Sequence, residues 1–129
     1  MIKTSFKIPF YNVNITLVQV EGKEDAEPVA ALLKKRKIRD DDNYTYNGIL
    51  RDATNGGDTC RDLEHKRILV LFYRMENERL RDEIYSHEKR HIEDRILEFF
   101  GVNDIESAGL LAGYLGAKFY DFKQLQNNK

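Results

Sequence analysis

The sequence predicts an α+β fold in which a small mixed sheet packs on one long helix. Three observations predict it: apolar β-rich runs at residues 10–22 and 67–73, a charged segment with helical periodicity from about residue 78 to Gly101, and a final stretch rich in Gly, Ala and Leu. At 129 residues the chain is read as one domain over 1–129, large enough for a single core, with about 124–129 a frayed tail.

In chain order, "FYNVNITLVQVEG" reads as a strand, with Val13, Ile15 and Leu17 on one face and Thr16, Val18 and Val20 on the other. "EDAEPVAALLKKRKI" reads as a short amphipathic helix, with Asp25 as N-cap, Pro28 in the tolerant first turn and Val29, Leu32 and Leu33 at helical spacing. Asp40 to Asp42 form a solvated acidic turn, because no spaced ligand set accompanies them. "YTYNGILR" reads as a second strand, Gly48 permitting a bulge or a close approach, and "DATNGGDTCRDLEHK" as a polar loop. Its Gly-Gly lacks the spacing and the Lys-Ser/Thr pair of a phosphate loop.

"RILVLFY" has the continuous apolar character of a strand covered on both faces, at the centre of the sheet. Asn77 and nearby acidic residues open the long helix and Gly101 closes it; Asn103 or Asp104 caps a last helix, "IESAGLLAGYLGAKFYDF". The expected order is strand, helix, strand, strand, helix, helix.

With 21 basic and 22 acidic residues the formal charge is −1, so no global field favours nucleic acid or an anionic membrane. The single cysteine, Cys60, cannot close an internal disulfide, and the N-terminal residues lack a secretory apolar core. No stretch reaches membrane-spanning length, and a cytoplasmic protein is expected.

The long helix carries His87, Glu88 and His91 as H-E-x-x-H. At about 100° per residue, Leu80, Ile84, Ile92, Tyr85 and Ile96 share an arc with Glu88 near its middle, the histidines at its edge, and Lys89, Arg90, Glu93 and Asp94 beyond it. A lone carboxylate inside such an arc is costly to desolvate, and a cation beside it removes the cost. His87 and His91, one turn apart, can each offer a nitrogen to one zinc ion, with Glu88 beside the remaining position as general base. A structural histidine pair satisfied by carbonyls or carboxylates is the competing reading.

A hydrolytic zinc site uses three protein ligands. Asp94 and Leu97 occupy the places of the glycine and third histidine in the longer H-E-x-x-H-x-x-G-x-x-H pattern, and His65, alone before a strand, reads as structural or solvated. Glu106 on the last helix is the best-placed third ligand. Gly109, Gly113 and Ala117 share its side and would allow close approach to a neighbouring helix. Two further readings stay open: Asn103-x-x-Glu106 has the form of a capping box, and the glycine strip suits helix packing without metal.

"SHEKRH", then "GV", then "ESAGLLAGYL" resembles minimal zincin-type metallopeptidases of the gluzincin kind, particularly small ones from phages and mobile elements. The specific residues are His87, Glu88, His91, Glu106, Gly113 and Tyr114; Gly109-Leu110 and the absence of an aspartate four residues after Glu106 depart from the pattern. The resemblance implies a zincin-like fold, one zinc per chain, and a peptide or protein substrate paired along an edge strand, here "YTYNGIL", with Tyr114 as a candidate oxyanion stabiliser. The alternative from another class is a zinc-bound or metal-free scaffold of the same shape that binds a protein partner, since so small a chain leaves little wall for a cleft.

Overall fold

The computed structural model describes residues 1–127. Four strands, β1 (Ile2–Ile8), β2 (Val13–Gln19), β3 (Gly57–Asp62) and β4 (Arg67–Phe72), form one mixed sheet in the order β1-β2-β4-β3. β1 runs antiparallel to β2 with Ile2 opposite Gln19, β2 parallel to β4 with Ile15 opposite Ile68, and β3 antiparallel to β4 with Thr59 opposite Val70. β1 and β3 are therefore the two edges. Helices α1 (Ala26–Arg36) and α2 (Tyr44–Leu50) cover one face; α3 (Glu78–Phe100) and α4 (Ile105–Asn127) cover the other.

The central strands explain the layering. Val13, Ile15 and Leu17 of β2 join Ile68, Val70 and Phe72 of β4 under α3 and α4, while Val18 and Val20 join Leu69, Leu71 and Tyr73 under α1 and α2. Side chains that alternate along each strand thus seal two cores, as an apolar run without polar alternation requires. Phe72 stacks on Tyr85 of α3 at 4.2 Å between ring centroids, and the Tyr85 hydroxyl donates to Gln19 Oε1 at 2.8 Å. Burial pushes the Tyr85 phenol up to about 12.

Several elements differ from the sequence reading. Residues 2–8 form a strand, their alternating Ile2, Thr4, Phe6 and Ile8 facing inward more than the intervening Lys3, Ser5 and Lys7. "YTYNGIL" is α2, not an edge strand: both oxygens of Asp40 accept from the first helical amides, Thr45 N and Tyr46 N, at 2.9 Å each, and local capping overrides strand-like composition. Gly48 does serve a close approach, but to a side chain, because a Cβ there would overlap the Tyr73 hydroxyl, which bonds Asp58 on β3. The loop read at 52–66 contains β3. Asp25 does not cap α1; its carboxylate accepts from Glu21 N instead. The helix continues through 124–127 of the expected tail, and 128–129 lie outside the described residues.

Asn77 Oδ1 caps α3 by accepting from Leu80 N at 2.8 Å, Gly101 ends it at φ 67°, and Asp104 Oδ2 accepts from Ser107 N to open α4. The Ser107 hydroxyl, helped by that backbone bond, holds the Asp104 carboxyl below its ordinary range. Left-handed backbone also occurs at non-glycine turn residues, among them Lys37 after α1 and Lys66 before β4. No described helix is long and apolar enough to cross a membrane.

Candidate metal centre

α3 lies across the sheet with Tyr85, Ile92 and Ile96 inward. Glu88 and Glu93 are both buried and occupy opposite flanks of that face, about 140° apart around the helix axis. The buried arc is therefore displaced from the one read in the sequence: Glu88 sits at its margin and Glu93 belongs to it.

The Glu88 flank faces edge strand β3. Thr59 Oγ1 donates to Glu88 Oε2 at 2.8 Å, and Gly57, two residues earlier, leaves space that a Cβ would reduce to 3.2 Å from Glu88 Cγ. Glu88 is only 6% exposed, and no cation pairs with it among the described residues. Asp58 lies nearby on β3; burial, reinforced by repulsion from Glu88, pushes its carboxyl up despite the opposing Tyr73 hydrogen bond. Thr59 escaped the sequence reading because β3 itself did; its β-branched side chain, alternating with Asp58 and Cys60, was the available signal.

His87 and His91 are exposed on the side of α3 beyond Glu88. Their rings meet edge to face at 4.4 Å between centroids, with Nε2 to Nε2 at 2.9 Å. Two ring nitrogens at that distance need one N–H and one lone pair, and a metal ion can take the place of the proton. Two bonds of about 2.0–2.1 Å at a tetrahedral angle put donor nitrogens about 3.3 Å apart, so a few tenths of an ångström of ring rotation would admit zinc.

The third donor is a different matter. α4 returns antiparallel to α3 on the opposite flank: Gly116 meets the Lys89 side chain, Lys123 pairs with Asp82 at 2.8 Å, and Arg81 reaches Gln126. In that register Glu106 is level with about Phe99, on the order of 12 Å along the axis from His91 at 1.5 Å per residue. Moreover α4 buries Leu111, Leu115, Phe119 and Phe122, about 180° around the helix from Glu106. Glu106 points to solvent, and its capping-box alternative is also unused because Asp104 caps the helix.

The structure thus brings His87 and His91 together, turns Glu88 toward β3 and leaves Glu106 apart. Among the described residues no group of three His, Cys, Asp or Glu side chains could hold a metal. Gly109 and Gly113 have nothing within 4 Å of where a Cβ would stand, so the strip expected against α3 faces outward. Tyr114 donates its hydroxyl to the Lys7 carbonyl of β1 at 2.9 Å, at the sheet edge opposite β3. His65 is exposed, with Nδ1 2.7 Å from Asp62, whose carboxyl it holds below the usual range.

Zinc therefore fits two donors of a three-donor site. No family model, curated protein or solved structure matches the chain.

Proposed function

We propose that the chain is a zincin-like peptide hydrolase whose zinc is carried by His87 and His91 and whose Glu88 serves as proton acceptor. One observation carries the reading: the buried Glu88 carboxylate, adjacent in sequence to the converging imidazoles, is hydrogen-bonded to Thr59 of a strand edge that is unpaired within the sheet. A peptide added antiparallel or parallel to β3 by main-chain hydrogen bonds would run past that carboxylate. Pairing along β3 replaces the role first assigned to "YTYNGIL", which is helical.

The chain's own residues divide the work. β3 orients the substrate backbone, Thr59 fixes the Glu88 rotamer, and Glu88 accepts a proton of the attacking water. Zinc, when bound, supplies Lewis acidity toward a carbonyl and toward water.

A second reading, a scaffold that binds a protein partner without cutting it, is favoured by the two-donor geometry and the exposed position of both rings. Elemental analysis after zinc reconstitution, followed by digestion of a peptide library, separates the two. The hydrolase reading expects about one zinc per chain, loss of zinc in His87→Ala/His91→Ala, and a Glu88→Gln variant that keeps zinc but cuts nothing. Wild-type protein that binds zinc and leaves the library intact supports the scaffold. Glu106→Ala tests the ligand set directly: this geometry expects zinc affinity to change less than about threefold, whereas loss of a true ligand costs far more, as even second-layer partners are worth 10-fold to 100-fold.

A further inference from the structure

We propose that two copies of this chain associate through the outer face of α4, antiparallel about Gly113. The inner face of α4 is the Leu111, Leu115, Phe119 and Phe122 stripe. Its outer face carries Glu106 but is otherwise largely apolar, with Ile105 91%, Leu110 61% and Tyr120 63% exposed, and Gly109, Gly113 and Ala117 between them. A helix with apolar stripes on two opposite sides is ordinarily buried on both. Here, among the described residues, one side has no cover.

The neighbouring surface extends the patch. A groove of about 280 Å³, lined by Ile8, Phe10, Tyr11, Leu110, Leu111 and Tyr114 among others, opens beside α4, and Phe10 at its rim is 82% exposed. Phe10, Ile105, Leu110 and Tyr120 together expose roughly 500 Å² of side-chain surface. A standard interface takes about 800 Å² from each partner, so these four side chains cover more than half of one.

Self-association fits this face because the face is its own complement. With two α4 helices antiparallel about Gly113, Gly109 stands level with the Ala117 of the second copy, and Gly113 with Gly113, so small residues meet small residues over the two central turns. Backbones can then approach to the lower end of the 8–10 Å range of helix packing, which gives a return for glycines that each cost about 1 kcal/mol of helix propensity and touch nothing in the single chain. Glu106 and Tyr120 lie equally far from Gly113, so each phenol can donate to the opposite Glu106 carboxylate. Between Glu106 and Asp121 the only charged residue is Lys118, whose ammonium lies over the Phe6 and Tyr114 rings, toward β1. A net charge of −1 per copy adds little repulsion.

The test is sedimentation equilibrium of the full chain with EDTA present, which removes any dimer bridged by metal at the histidines. The expected result is a monomer–dimer equilibrium with Kd on the order of micromolar, shifted at least tenfold toward monomer by Gly113→Arg, an exposed helical substitution whose folding is checked by circular dichroism. In a Cys60→Ser background, Gly113→Cys should crosslink to itself, and Gly109→Cys should crosslink to Ala117→Cys chains in preference to its own kind. A monomer at about 100 μM, a dimer indifferent to Gly113→Arg, or self-crosslinking by Gly109→Cys would each overturn the proposal.

Discussion

Two buried glutamates, one turn and a residue apart on α3, meet opposite fates. Glu93 faces α4, and Lys89 Nζ lies 2.8 Å from its carboxylate. Glu88 faces β3 and has a hydroxyl, but among the described residues no cation, as its partner. The first carboxylate is neutralised within its own helix and closes a packing interface. The second is held by a neutral hydroxyl on the flank next to the exposed histidine pair. The contrast separates a structural acid from one available for chemistry.

The largest effect should come from removing the cation on the structural side. Lys89→Met leaves Glu93 buried and unpaired and should cost about 3 kcal/mol, whereas Glu88→Gln, which loses no cation and can still accept from Thr59, should change metal-free stability by less than about 1 kcal/mol. Urea denaturation of both variants checks this; equal costs would abolish the distinction between the flanks. Next, Gly48→Ala strikes β3 from behind by displacing Tyr73 from Asp58, at about 2 kcal/mol. Most of that cost should vanish in a Tyr73→Phe background, where the overlapping hydroxyl is gone, and a double-mutant cycle measures the coupling.

A smaller loss, about 1.5 kcal/mol, is expected for Thr59→Val, which removes a hydrogen bond to a charged acceptor, while Thr59→Ser should retain stability. The smallest effect concerns pH. Asp58 has its carboxyl pKa raised by burial above the unfolded value near 3.8, so the folded state binds the proton more tightly. Its contribution is fullest below the unfolded value and is lost as pH rises through the folded one. Wild-type stability should therefore fall more steeply over that window than that of Asp58→Asn, measured by chemical denaturation at several pH values.

Much of this arrangement is legible in the sequence, and the exceptions have definite causes. β2 and β4 show as apolar runs because both their faces are covered, and the H-E-x-x-H spacing places His87 and His91 together because one helical turn fixes it. α2 was hidden by Tyr44, Thr45, Tyr46 and Ile49, residues that favour strands, and by a cap supplied from Asp40, outside the segment. β3 was hidden because an edge strand in contact through Thr59, Asp58 and Cys60 needs little apolar alternation. Glu106 shows a different limit. Both faces of α4 are apolar, so periodicity alone does not say which turns inward. Burial favours the face offering more apolar area, at about 25 cal/mol per Å², and leucine and phenylalanine outweigh glycine there. The side of α3 that α4 would choose was likewise invisible, since it rests on Lys89 laying its methylenes along Gly116.

The turns carry a further consequence. Lys37 and Lys66 hold left-handed backbone at φ 57°, a region where a β-carbon is strained by about 1 kcal/mol and glycine is at ease. Lys37 ends α1, and Lys66 closes the short turn that joins β3 to β4. The molecule therefore keeps a reserve of thermal robustness in its corners, which an engineer could draw on by shortening two side chains to hydrogen while every core and every proposed contact stays as it is.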